Sequence, residues 1–301
     1  MYFNRPNPHP LDYDWRFTKE TVSKISNMVY DDNALVIGAP SVAEFLEKQK
    51  KDVLLIDRHP IQLVNNHLQI DINTSPIIKA NFSYVIMDPP WYLDVFFRWI
   101  SWAANSVGKG ATIILSIWPD NTRPLAIDEK EQLFSWIRTW GEISIEKNCF
   151  TYITSDFEKK ITKPSDIRQG DFLKINVITT PKMIKVIEPK NIWYRYIIDD
   201  YQLAIKSGPN LNDSNFVQFK KVEGAEEWLW PSVSKRAVGR DYIQIWSSNN
   251  EVAMLDNPET LISLLENEND ISKIIKKTSS LAEWSIPKKP HGRIVKWQEK
   301  N

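Results

Sequence analysis

The sequence predicts an α/β protein: a doubly wound, mostly parallel, Rossmann-like sheet with an additional C-terminal α+β region. Strand-like and helix-like patterns alternate over roughly 120 residues, as they do when helices carry the chain between parallel strands. The strand-like runs at 53–56 and 85–87 are continuously apolar, as strands buried on both faces are. Acids stand where those two runs stop, at Asp57 and Asp88, and a third, Asp71, ends the shorter run HLQID.

Residues 1–16 are polar and proline-rich and read as an arm. FTKETVSKISNMVY then predicts a helix, with Thr18 as N-cap and Val22, Ile25, Met28 and Val29 on one face. Residues 34–37 form a short buried strand, and Gly38-Ala39-Pro40 a turn. Ser41 with Glu44 three residues on fits a capping box, opening a helix that runs to about Lys50. Residues 53–56 are the second strand, so the unit implies a right-handed parallel crossover. HLQID (67–71) and FSYVIM (82–87) are the third and fourth strands. YLDVFFRWISWAANSV has helical spacing, with Phe96, Ile100 and Ala103 or Ala104 on one side, and Gly108 and Gly110 end it. ATIILSIW is a fifth strand, DEKEQLFSWIRTW a helix and EISIEKNCFTYI a further strand.

Beyond Thr154 the pattern changes. SDFEKKITKPSDIRQG reads as a loop, DFLKINVITT as a strand, and IWYRYIIDDYQLAIKSG as a hairpin turning at Asp199-Asp200. Residues 208–215 are loop, DYIQIWSSNNEVAML is a second hairpin, and one or two helices follow over 258–277. IPKKPHGRIVKWQEKN reads as a basic, solvated tail. The expected organisation is an arm (1–16), an α/β domain (17–180) and a C-terminal α+β region (181–301) that completes the sheet, serves recognition, or both.

Composition narrows the function classes. With 42% hydrophobic and 25% charged residues, a packed core is expected. A formal net charge of zero argues against a protein that coats nucleic acid, though not against a local basic groove. One cysteine, Cys149, leaves no intramolecular disulfide and no cysteine-based zinc cluster, and suits a reducing compartment. No apolar run approaches the ~18 residues of a membrane span, and the N-terminus has no apolar signal region. A cytoplasmic location, no membrane and no metal are the expectations; the oligomeric state is open.

In an open parallel sheet, ligands bind where the strands end at their carboxyl side. Asp57 lies 19 residues past Gly38, a spacing at which a carboxylate reaches a ribose diol in nucleotide-binding folds. The first turn has one glycine, whereas a phosphate needs several close backbone approaches. A nucleoside without phosphate does not, which favours S-adenosylmethionine over NAD or a nucleoside triphosphate. Asp71, at the next strand end, is placed to meet the adenine.

Asp88-Pro89-Pro90-Trp91 follows the fourth strand. Methyl transfer from a sulfonium needs a nitrogen lone pair aimed in line at the methyl carbon. The Asp88 carboxylate and the Pro89 carbonyl can each accept one hydrogen of an amino group, holding it while positive charge builds on the nitrogen. Pro90 stiffens the corner, and Trp91 can wall a planar base.

At these residues the chain resembles the N6-adenine-methyltransferase-like family of class I S-adenosylmethionine-dependent methyltransferases. WRFTKET (15–21), GAPSVAEFL (38–46) and DPPWYL (88–93) are similar to its motifs, over about residues 12–155. That family includes elongation-factor 1A lysine methyltransferases and a zinc-finger ribosomal-RNA adenine methyltransferase. The resemblance implies a cofactor site at Gly38, Ala39, Pro40 and Asp57 and an acceptor site at Asp88 to Trp91. It also implies that the WRFTKET segment helps close the site, which makes Trp15 and Phe17, with Tyr92, substrate-side candidates. The long C-terminal part and the lack of zinc-finger cysteines depart from those relatives and leave target choice open.

Other residues carry less. Arg123 follows the fifth strand, where it can face substrate or close a loop salt bridge. KRAVGR (235–240) can touch phosphate or be a charged loop, His59 reads as a rim residue, and Cys149 as inert core. No metal-hydrolase histidine pair or GxSxG elbow occurs. The leading expectation is methylation of adenine N6 in DNA or RNA. A protein lysine is the alternative acceptor, and a methyltransferase-fold binding subunit without turnover is the third reading.

Overall fold

The computed structural model describes residues 5–31, 33–159, 167–188, 190–222, 235, 237, 239–288 and 294–298. Its larger sheet has eight strands: β1 (Arg16–Phe17), β2 (Asn33–Ile37), β3 (Asp52–Asp57), β4 (His67–Gln69), β5 (Tyr84–Met87), β6 (Thr112–Ile117), β7 (Gly141–Ile153) and β8 (Gln169–Val177). Their order is β1-β7-β8-β6-β5-β2-β3-β4. The pairs among β2 to β6 are parallel, whereas β8 inserts antiparallel between β6 and β7. The order reverses between β2 and β5, whose register sets Ile37 beside Met87. Gly38 and Asp88 therefore leave the sheet side by side, at the switch point where such sheets bind ligands.

Alternate residues of each buried strand supply two cores. Leu35, Ile37, Val85, Met87, Ile113 and Leu115 pack under α3 (Leu93–Val107) and α4 (Ala126–Arg138). Ala34, Val36, Val53, Leu55 and Ile86 pack under α1 (Lys19–Ser26) and α2 (Pro40–Lys48). Thr18 caps α1 as expected, accepting from Thr21 N. The capping box at Ser41 does not form. Pro40 already occupies the first turn of α2, Ala39 is its N-cap, and the Ser41 hydroxyl instead accepts from Arg5. Proline suits that position because its missing N–H has no intrahelical partner there.

No helix joins β4 to β5. The connection is held by α3: Arg98 donates to the carbonyls of Ile72 and Ser75, Trp99 Nε1 to the Asn73 side chain, and Trp102 Nε1 to the Pro76 carbonyl. Arg98 also donates to the Ile184 carbonyl, which ties the segment after β8 to the same helix.

Among the described residues, the strands after β8 lie in a second sheet. They build a separate six-stranded antiparallel sheet, β11-β13-β12-β10-β9-β14. Its strands are β9 (Trp193–Ile198), β10 (Tyr201–Lys206), β11 (Phe219–Lys220), β12 (Ile245–Ser247), β13 (Val252–Leu255) and β14 (Val295–Gln298), and α5 (Pro258–Asn267) and α6 (Ile271–Lys276) pack on it. The β9–β10 hairpin turns at Asp199-Asp200, with Asp199 at φ 57°. The expected solvated tail is corrected by β14, which pairs antiparallel with β9 and satisfies an otherwise open edge.

Candidate functional site

One cavity of about 580 Å³ opens at the carboxyl ends of β2 to β5. Gly38, Pro40, Asp57, Asp71, Asp88 and Pro90 all line it, so the sequence-predicted strand-end residues converge. Ala39 and Pro89 are buried and do not line it. Its far side is built by the arm, including Arg5, Asp12, Tyr13 and Trp15, and by Trp193 and Trp246 of the second sheet.

Gly38 has φ +65°, a left-handed conformation that L side chains rarely adopt. A Cβ there would stand 3.0 Å from the Trp99 ring and 3.6 Å from the Asp88 carbonyl. Trp99 and Asn73, hydrogen-bonded to each other at 3.0 Å, both line the cavity. Sequence reasoning missed them, because Trp99 looks like one more apolar residue of a core helix.

Asp57 accepts from His59 N at 2.8 Å and lies 2.9 Å from His59 Nδ1, both through Oδ1. His59 lines the cavity and also bridges two acids. Its other nitrogen meets Asp12 at 3.0 Å. Burial pulls the imidazole pKa down, but Asp12 and Asp57 more than reverse this and hold it at about 9. Asp12 also accepts from Arg58 and, through both oxygens, from Arg195 of β9. Burial opposes the charge on Asp12, and Arg195, Arg58 and His59 overcome it, holding the carboxyl well below the usual range. The arm, the β3 end and the second sheet thus meet at one carboxylate.

Asp88 is partly buried, and the Tyr152 hydroxyl donates to its Oδ1 at 2.7 Å. Burial raises the Asp88 carboxyl to about 8; Tyr152 works against that rise and Asp14 adds to it. Tyr152 comes from β7, 64 residues away, and nothing in the strand pattern marks it. Trp91 sits differently from the expectation. Its ring packs edge-on to Tyr152, 5.8 Å between centroids, and lines a neighbouring cleft of about 410 Å³ with Arg168 and Gln169. Trp15 lies between the two spaces: it lines the large cavity, stacks under Arg168 at 4.1 Å and donates to Glu158 at 2.7 Å.

The remaining candidates separate. Phe17 is buried against Phe150 and Tyr152 and lines neither space. Arg123 pairs with Glu129 and stacks over Trp118 at 4.5 Å, so it closes a loop rather than a site. Tyr92 packs edge-on to Tyr13 and accepts from Lys235 N at 3.0 Å. Lys235 and Arg240 of the KRAVGR segment reach the cavity rim, where Arg240 stacks over Tyr13 and Trp246; residues 236 and 238 lie outside the described residues. Cys149 is half-buried, and burial pushes its thiol up to about 11, as suits an unreactive cysteine. Among the described residues, no group of three or more His, Cys, Asp or Glu is arranged to hold a metal, and no helix is long and apolar enough to cross a membrane.

Strand order, the antiparallel β8 and the site at the switch point together define the class I methyltransferase fold. No family model and no curated sequence matches the chain. Among solved structures it is similar to the branched-chain polyamine synthase of Thermus thermophilus in complex with N4-aminopropylspermidine and 5'-methylthioadenosine. That overlay has a TM-score of 0.54 at 10% identity and covers 62% of this chain and 64% of the synthase. The chain thus spans under two thirds of that enzyme, and the likeness is one of fold. Looser overlays reach magnesium protoporphyrin IX methyltransferase of Synechocystis PCC 6803 (TM-score 0.36, 12% identity, 53% and 79% covered) and an S-adenosylmethionine-dependent methyltransferase of Methanosarcina mazei (0.37, 13%, 52% and 97%).

Proposed function

We propose that the chain is an S-adenosylmethionine-dependent methyltransferase acting on an amino nitrogen. The observation that carries this reading is the convergence of Gly38, Asp57, Asp71 and Asp88 on one cavity at the switch point. The residues fit the cofactor. Gly38 makes the left-handed turn that lets Trp99 close against the backbone at the cavity wall, Asp57 offers a carboxylate at the spacing of a ribose contact, and the turn lacks the glycines a pyrophosphate needs. When bound, the cofactor supplies a methyl carbon made electrophilic by its sulfonium.

The chain's own contribution is to hold the acceptor. Asp88, once ionised, accepts one hydrogen of the amino group; Pro89, buried and absent from the cavity lining, stiffens the corner instead of serving as the second acceptor. The Tyr152 hydroxyl occupies Oδ1, which leaves Oδ2 as the oxygen for the acceptor. The arm and the second sheet cover the cavity, excluding water and strengthening these contacts. In the same reading, residues 17–180 are the catalytic domain and residues 181–301 recognise the target, since Trp193 and Trp246 line the cavity.

Adenine N6 in DNA or RNA is the first acceptor reading, supported by the stacked Tyr13 and Trp15 rings beside the cavity, 6.1 Å apart and 26° from parallel. A duplex substrate has to flip its adenine out. A lysine ε-amine is the second, favoured by Asp14 and Asp94, which line the cavity with Asp88 and suit a cationic acceptor. Transfer of a tritiated methyl group to cell RNA, DNA or protein, followed by nuclease or protease digestion, tests both. Label released by nuclease as methyladenosine supports the first, and label released by protease as methyl-lysine supports the second. No label in any fraction contradicts the proposed activity.

A further inference from the structure

We propose that Arg5 of the N-terminal arm anchors the carboxylate of the donor's amino-acid tail, which makes the site select S-adenosylmethionine over a decarboxylated, aminopropyl-bearing sulfonium. The inference rests on the reading of the cavity as a sulfonium-donor site and deepens it. Both donors share the adenosine and the sulfonium and differ by one carboxylate. Which is used decides whether methyl or aminopropyl leaves sulfur, so the position of a cation at the tail end is decisive.

Arg5 stands beside the first turn of α2, next to the turn after β2. It lines the cavity together with Gly38 and Pro40, and its NH2 group donates to the Ser41 hydroxyl at 3.0 Å, fixing the guanidinium over the first turn of α2. Asp57, Asp71 and Asn73 line the same cavity, so a ribose and base held by them leave the tail to the turn after β2 and to Arg5. Among the described residues Arg5 forms no ion pair within 4.0 Å, and its Nε is buried without a hydrogen-bond partner. Its neighbour Arg16 differs. That guanidinium is held by Asp14 at 2.9 Å and by the Pro6 carbonyl. Asp14, Asp57 and Glu44 offset part of the Arg5 charge from a distance, and a ligand carboxylate that meets the open Nε–H adds the direct charge-assisted partner it lacks. Burial and the proximity of Arg16 pull the Arg5 pKa down to about 10, so it stays charged at neutral pH.

The one-glycine turn explains why an arm is needed. A turn rich in glycine N–H groups offers an anion several backbone donors, whereas Gly38-Ala39-Pro40 brings a proline, which has no N–H, into the first helical turn. A side-chain cation from elsewhere in the chain replaces those donors. The fold neighbour from Thermus thermophilus, in contrast, holds 5'-methylthioadenosine, a thioether without an amino-acid tail.

Calorimetric titration of the full chain with two products tests this directly. S-adenosylhomocysteine carries the carboxylate, and 5'-methylthioadenosine has the same nucleoside and thioether without the tail. The wild type should bind S-adenosylhomocysteine at least tenfold more tightly. Arg5→Gln should lose at least tenfold of that affinity while its 5'-methylthioadenosine affinity stays within twofold of wild type, with Arg5→Lys recovering part of the loss. Equal binding of both products by the wild type, or an unchanged preference in Arg5→Gln, overturns the role of Arg5 and leaves the donor site standing. Failure of the wild type to bind either product overturns the donor site, and this role with it.

Discussion

Asp12 and Arg195, 183 residues apart, form a two-point ion pair with side chains no more than 1% exposed. The same carboxylate holds Arg58 and His59, and His59 in turn holds Asp57. The acid expected to meet the ribose is thus positioned through a contact that also joins the arm to the second sheet. Removing one partner of such a cluster leaves charges buried and uncompensated. Asp12→Ala should destabilise the protein by about 3–5 kcal/mol, read by urea denaturation. It should also weaken S-adenosylhomocysteine binding, because His59 no longer fixes Asp57. Asp12→Asn, which keeps the shape but not the charge, should recover little of either.

Stability should fall as pH rises from about 6 to 9. The Asp88 carboxyl is raised from its ordinary 3.8 to about 8, so its contribution is full below 3.8 and is lost as pH rises through 8. His59 is raised from 6.5 to about 9, so its contribution is full below 6.5 and is lost as pH rises through 9. Asp12 has the opposite sign: its contribution is present above 3.8 and is lost only as pH falls through its depressed value. Thermal melts across this range should show a declining Tm. Asp88→Asn should flatten the decline and raise Tm at pH 8 by about 2–4 °C.

Activity should move the other way. The acceptor role requires ionised Asp88, so kcat/KM should rise with pH through a group near 8. Tyr152 stabilises the charged form, and Tyr152→Phe should shift that inflection upward. An unshifted profile would remove Tyr152 from the proton inventory of the site.

Gly170 lies where Trp91, Tyr152 and Ser116 converge. A Cβ there would stand 2.2 Å from the Ser116 oxygen and 3.4 Å from both rings. Gly170→Ala should cost about 1–3 kcal/mol by overpacking and slow transfer through the displaced Tyr152. Adding Ser116→Ala removes the clashing oxygen, so the double variant should recover most of the stability.

Residues at the ends of apolar runs were legible, because a strand's direction and its terminus are local properties. Gly38, Asp57, Asp71 and Asp88 fall into this class, and their alignment at the switch point followed from strand order. Long-range partners were not legible. Arg5, Asp12, Tyr152 and Arg195 act through segments far apart in the chain, and Asp12 sits in what reads as a polar arm. Local motifs misled where a neighbour changed the geometry. Ser41 matched a capping box, but Pro40 had already opened the helix, and the Ser41 hydroxyl went to Arg5. The terminal lysines concealed β14, because strand formation there depends on the free edge of β9 rather than on local pattern.

The most direct test of the central claim, that Asp88 holds an amino nitrogen beside a bound donor, measures two things on Asp88→Asn together. These are its affinity for S-adenosylhomocysteine and its single-turnover methyl transfer to the acceptor found by tritium labelling. Affinity within threefold of wild type with transfer reduced at least a hundredfold is the predicted result. Transfer at the wild-type rate with binding intact would contradict it.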